Sequence, residues 1–95
     1  MYTIIDLETT GGKFNEESII EVAAYKFDGV NITDQFISLV NPQRDIHPYV
    51  EKLTGITSDM VQSAPKFQEV AKRIIEITSE SILFAHNAQF DYIIL

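Results

Sequence analysis

At 95 residues, 45% of them hydrophobic, the chain has the size of one small domain or part of one, and a chain this short buries only a moderate share of its surface. Its 14 acidic and 7 basic residues leave a formal net charge of −7, which argues against the broad basic surface used in non-specific phosphate binding, although a carboxylate cluster holding divalent cations reverses that locally. There is no cysteine, so disulfides and thiolate metal sites are excluded and oxygen is the rich source of metal ligands.

Tyr2 to Leu7 is short, apolar and β-branched, and Thr9, Thr10, Gly11 and Gly12 follow it, so it is predicted to be a buried strand ending in a loop. Ser18 to Phe27 is again strand-like. Asp28-Gly29 marks a hairpin turn, and Ile32 to Val40 alternates enough to be the returning strand. Beyond Asn41-Pro42, the residues Pro48, Val50, Leu53 and Ile56 predict a short helix closed by Thr54-Gly55, and Thr57 or Ser58 caps another short turn. After Pro65, apolar positions at Phe67, Val70, Ala71, Ile74 and Ile75, with Thr78, predict one helix with a single core-facing stripe.

Ser81 to Ala85 predicts a fourth strand, reached by a helical crossover and so parallel to the first, with another helix opening at Ala88. Phe90, Ile93, Ile94 and Leu95 make an apolar helical face with no cap, which leads us to expect a domain truncated at its C-terminus; a frayed terminal helix is the alternative. No apolar run is long enough to span a bilayer and no export signal precedes Asp6, so a cytoplasmic protein without membrane contact is expected.

Asp6 and Glu8 are two apart at the end of the first strand and project from one side of it. Carboxylates crowded in this way are stable when a cation, a basic partner or a shared proton compensates them, and Ile5, Leu7, Thr9 and Thr10 offer no basic partner. A pair of acids simply facing water is the alternative. Asp91, in His86-Asn87-Ala88-Gln89-Phe90-Asp91, follows the fourth strand. If that strand lies beside the first, Asp91 approaches Asp6 and Glu8 at the sheet edge where open α/β sheets place their sites.

Ile4 to Gly12 (I-I-D-L-E-T-T-G-G) resembles the first motif of the DnaQ-like (DEDD) 3′→5′ exonucleases, the family that includes the proofreading epsilon subunit of DNA polymerase III. His86 to Asp91 (H-N-A-Q-F-D) resembles their second motif. Glu21, Asn41-Pro42, Leu53 to Thr57 (L-T-G-I-T) and Ala64-Pro65-x-Phe67 match the family pattern between them, in the usual order. His86-x-Ala88-x-x-Asp91 is not read as the third motif, because Asn87 and Phe90 fit the second.

The resemblance implies a ribonuclease H-like α/β fold over residues 1–95: a mixed sheet of three antiparallel strands and a fourth parallel to the first, with flanking helices. It implies that Asp6 and Glu8 hold two divalent cations, Mg or Mn, supported by Asp91, for in-line attack of water on a terminal phosphodiester. It also points to Thr9, Thr10 and Gly11 at the nucleotide, to Asn87 at the loop or substrate, and to Leu53 and Ile56 as an apolar wedge at the terminal bases, with core packing as the alternative for the last two. The implied substrate is a single-stranded or frayed 3′ end of DNA or RNA, and a polymerase or repair partner is expected. The family's third motif, a histidine base and a last aspartate, is absent from these residues. A catalytically inactive partial domain, self-associating through its exposed edge, is therefore the competing expectation. A phosphatase with an aspartate nucleophile is disfavoured, since Glu8 stands where such a site has a second aspartate.

Overall fold

The computed structural model of the chain describes residues 1–11 and 18–85. The expected helix from Ala88, and with it His86, Asn87 and Asp91, lies outside the described residues. The elements are β1 (Tyr2–Thr9), β2 (Ile19–Phe27), β3 (Ile32–Leu39), α1 (Pro48–Thr54), α2 (Ser58–Val61), α3 (Phe67–Thr78) and β4 (Ile82–Ala85). They form one sheet in the order β3-β2-β1-β4. β1 pairs antiparallel with β2, β2 antiparallel with β3, and β4 parallel with β1, as the sequence predicted.

Local chemistry places each boundary. The Asp28 carboxylate accepts the N–H groups of Val30 at 2.8 Å and Asn31 at 2.7 Å, and Gly29 takes φ 106°, which closes the β2–β3 hairpin. Pro48 opens α1 and Gly55, at φ 77°, ends it in the left-handed conformation. The Thr57 hydroxyl accepts the Met60 N–H at 3.2 Å to start α2, and the Glu69 carboxylate reaches back to the Lys66 N–H at 2.7 Å to start α3.

The main core lies between α3 and one face of the sheet. Val70, Ile74 and Ile77 of α3 pack with Ile5 and Leu7 of β1 and Val22 and Ala24 of β2. The predicted stripe shifts by part of a turn: Ile77 is fully buried, whereas Phe67 is 41% and Ile75 68% exposed. The physical reason is that Ile75 sits about 100° around the helix from Ile74, and the sheet accepts only the narrower 70/74/77 row. The helix is also tied polarly, because the buried Thr3 hydroxyl donates to the Ile77 carbonyl at 2.7 Å. A second cluster, Ile20, Ile46, Val50, Ile56 and Val61, seats α1 and α2.

The other face of the sheet is divided. Toward one end it shows Tyr2, Ile4 and Phe84, which are 38%, 47% and 52% exposed. Toward the other end lie Asp6 and Glu8, both partly buried.

Candidate functional site

β1 is central in the sheet, and its alternation separates its residues cleanly: Thr3, Ile5, Leu7 and Thr9 are buried beneath, while Asp6 and Glu8 emerge together on the opposite side. The β1–β2 register sets Glu8 directly opposite Glu21 and Asp6 opposite Ala23. Partners directly opposite share a face, so Glu21 joins the acidic end. The register then shifts between Glu8 and Thr9, a bulge of the kind that redirects a chain at a strand end.

β4 finishes beside β1, with Ala85 paired to Ile5 just before Asp6. The first two predicted acids therefore stand at the carboxyl edge of two neighbouring parallel strands. Asp91 and Asn87 fall outside the described residues. Among the described residues, no group of three or more acidic or histidine side chains is arranged to hold a metal ion. Asp6 and Glu8 thus bring two carboxylates, oxygen donors only, to this edge.

Thr9 and Thr10 are 7% and 2% exposed, so any approach to a nucleotide there is by backbone. Thr10 is heavily tied: its N–H donates to Ser18 O at 2.9 Å, its hydroxyl accepts the Ser18 N–H at 3.2 Å, and its carbonyl accepts the His47 N–H at 2.9 Å. Gly11, at φ 78°, lies so close to α1 that a β-carbon built there would stand 2.6 Å from Val50 Cγ2. That contact explains the glycine: the end of β1 and the start of α1 are packed backbone against side chain.

The two predicted wedge residues separate. Leu53 is 80% exposed on α1, whereas Ile56 is 6% exposed within the second core cluster. Asn41 and Pro65, which lie in two separate stretches that match the family pattern, meet through an Asn41 N–H to Pro65 carbonyl bond of 2.8 Å. This bond holds the β3–α1 loop against the start of α3. No described helix is long and apolar enough to cross a membrane.

A β3-β2-β1-β4 mixed sheet with helices, carrying paired carboxylates at the end of its central strand, defines the class: a ribonuclease H-like nuclease fold. The sequence profile of the exonuclease family, of the RNase T type, matches residues 3–95, and the chain belongs to that family. It is 41% identical over 90 residues to a PolC-type DNA polymerase III of Caldanaerobacter subterraneus, covering 95% of this chain and 6% of the polymerase. It is likewise 41% identical over 90 residues to the DNA polymerase III epsilon subunit of Treponema pallidum, of which it covers 42%. Among solved structures, Exonuclease X in complex with 5′ overhanging duplex DNA superposes with a TM-score of 0.80 at 33% identity, over all of this chain and 54% of that one. The chain thus spans about half or less of these relatives.

Proposed function

We propose that residues 1–95 are the N-terminal part of a single exonuclease domain that hydrolyses the 3′-terminal phosphodiester of a DNA or RNA strand. Asp6 and Glu8 act as its metal ligands and Asp91 as their third carboxylate. One observation carries the reading: Asp6 and Glu8 emerge side by side from the central strand, at the edge where the parallel strand β4 also ends. Family membership supports the reaction class, and the DNA held by Exonuclease X supports nucleic acid as the substrate class. The polymerase III relatives support a polymerase partner.

The donor chemistry fits a hard divalent cation such as Mg or Mn, since the chain has no thiolate and Asp6 and Glu8 offer only oxygen. When bound, two such ions supply an activated water and charge neutralisation at the phosphate. The chain's own residues do the positioning. The buried alternate residues of β1 hold the carboxylates on a rigid element, the tied Thr10 fixes the turn after them, and exposed Leu53 offers apolar surface to a base. No proton-transfer role is given to this stretch, because the third motif is not in it.

A second reading, an inactive partial domain that associates through its surface, is favoured by the exposed Tyr2, Ile4 and Phe84. Two measurements separate the readings. Mn²⁺ binding, followed by loss of the free-ion paramagnetic resonance signal, is expected for the wild type and weakened in Asp6→Asn. Unchanged binding in the Asp6→Asn/Glu8→Gln double variant would sink the metal assignment. With Mn²⁺ and a 3′-labelled single strand, the 95-residue chain is expected to release no mononucleotide; release that disappears in Asp6→Asn would show the third motif to be dispensable.

A further inference from the structure

Next to the end of β1, Thr10, Gly11, Gln43, Arg44, His47 and Pro48 line an open cleft of about 520 Å³. It begins two residues beyond Glu8, within about 7 Å of chain. The chain has two arginines, and they differ sharply in circumstance. Arg73 is paired with Asp34 and, at 3.6 Å, with Glu76; Arg44 is exposed and makes no ion pair among the described residues, not even with its neighbour Asp45, which lines the same cleft. In a chain of net charge −7, a guanidinium with no ion pair among the described residues, beside the acidic strand end, is a local exception to the surrounding field.

Aromatic surface continues from the cleft. The His47 and Tyr49 rings meet edge to face with centroids 4.4 Å apart. Tyr49 is 56% exposed, and Leu53, one helical turn further along α1, is 80% exposed, so the two form one outward apolar row. α1 is held in place beneath this row by Val50 in the core and by the close approach of Gly11. The row is thus presented on a fixed element.

We infer that this surface is a track for the single strand whose 3′ end reaches the carboxylates, with Arg44 on a backbone phosphate and Tyr49 as a stacking platform for a base. The inference rests on the nuclease reading and deepens it. Charge complementarity and an exposed ring are the pairing that sequence-tolerant single-strand binding uses, since every nucleotide carries both a phosphate and a π face. The track therefore takes DNA and RNA strands without regard to sequence. Asp45 opposes it electrostatically and limits its affinity.

Fluorescence anisotropy with a labelled oligothymidylate of about ten nucleotides, in Ca²⁺ over a salt series, tests this. Tyr49→Ala is expected to weaken binding about tenfold, while Tyr49→Phe, which keeps the ring, stays within about twofold of wild type. Arg44→Gln is expected to weaken binding and lower the slope of log K against log salt by about 0.7, and Asp45→Asn to tighten it. Wild-type affinity and slope in both Tyr49→Ala and Arg44→Gln would overturn the track and leave the nuclease reading intact. Failure of the wild type to bind the strand at any salt would overturn both.

Discussion

Glu8 of β1 and Glu21 of β2 stand directly opposite one another across the antiparallel pair, two residues along from Asp6. Like charges in that relationship destabilise a sheet by roughly 0.2–1 kcal/mol. Glu21→Gln is therefore expected to raise stability by about that amount in metal-free buffer, read as the urea midpoint. Added Mn²⁺ should still stabilise this variant if Asp6 and Glu8 are the ligands. Loss of the Mn²⁺ effect would instead make Glu21 a ligand.

Gly11 carries a steric demand as well as a conformational one. Its φ of 78° and the 2.6 Å approach of Val50 Cγ2 to a built β-carbon leave no room for a side chain. Gly11→Ala is expected to cost about 1–3 kcal/mol. Because the Val50 side chain, and beside it the Tyr49 hydroxyl 3.3 Å from the built β-carbon, must give way, the Tyr49 surface should become less ordered, seen as faster amide exchange at Val50 and Glu51 than in the wild type.

Thr3 joins β1 to the end of α3 by a buried bond of 2.7 Å to the Ile77 carbonyl. Thr3→Val keeps the shape and leaves that carbonyl unpaired, for an expected loss of about 1–3 kcal/mol by chemical denaturation. A neutral result would mean that water replaces the hydroxyl.

Two carboxylates set an acid-side dependence. The Arg73 guanidinium holds Asp34 below its ordinary carboxylate pKa, and the backbone N–H groups of Asn31 and Val30 do the same for Asp28. Both folded pKa values are depressed, so these contributions are complete above the ordinary value of about 3.9 and are lost as pH falls through the folded values. Asp34→Asn should flatten the stability profile below about pH 4. Added salt should weaken the Asp34 contribution in particular, since both partners are about one-third exposed.

The face that carries Tyr2, Ile4 and Phe84 leaves apolar surface open beside the edge strand β4. Light scattering of the 95-residue chain is expected to show association that grows with concentration, and Phe84→Ser to reduce it with little change in thermal unfolding. A monodisperse wild type at high concentration would argue against the expectation.

Much was readable from local sequence alone. The alternation in β1, the Asp28-Gly29 turn, Pro48 and Gly55 around α1, and Pro65 before α3 place the elements within a residue or two, because caps, turns and periodicity act over a few neighbours. The i, i+2 spacing of Asp6 and Glu8 likewise implies a shared side as soon as a strand is assumed. Other questions depended on what stands opposite. Leu53 and Ile56 are both aliphatic and nearly adjacent, yet one is exposed and the other lies in the core, because α1 ends at Gly55 and the chain turns Ile56 inward against Ile20 and Val61. Ile77 takes the buried place expected for Ile75 for a similar reason, since the sheet accepts only one row of α3. The meeting of Glu8 with Glu21, and the lack of an ion pair between the neighbours Arg44 and Asp45 among the described residues, are facts of register and loop geometry. Residue type and spacing determined which groups were available for chemistry; only the packing of distant segments decided which of them share a surface.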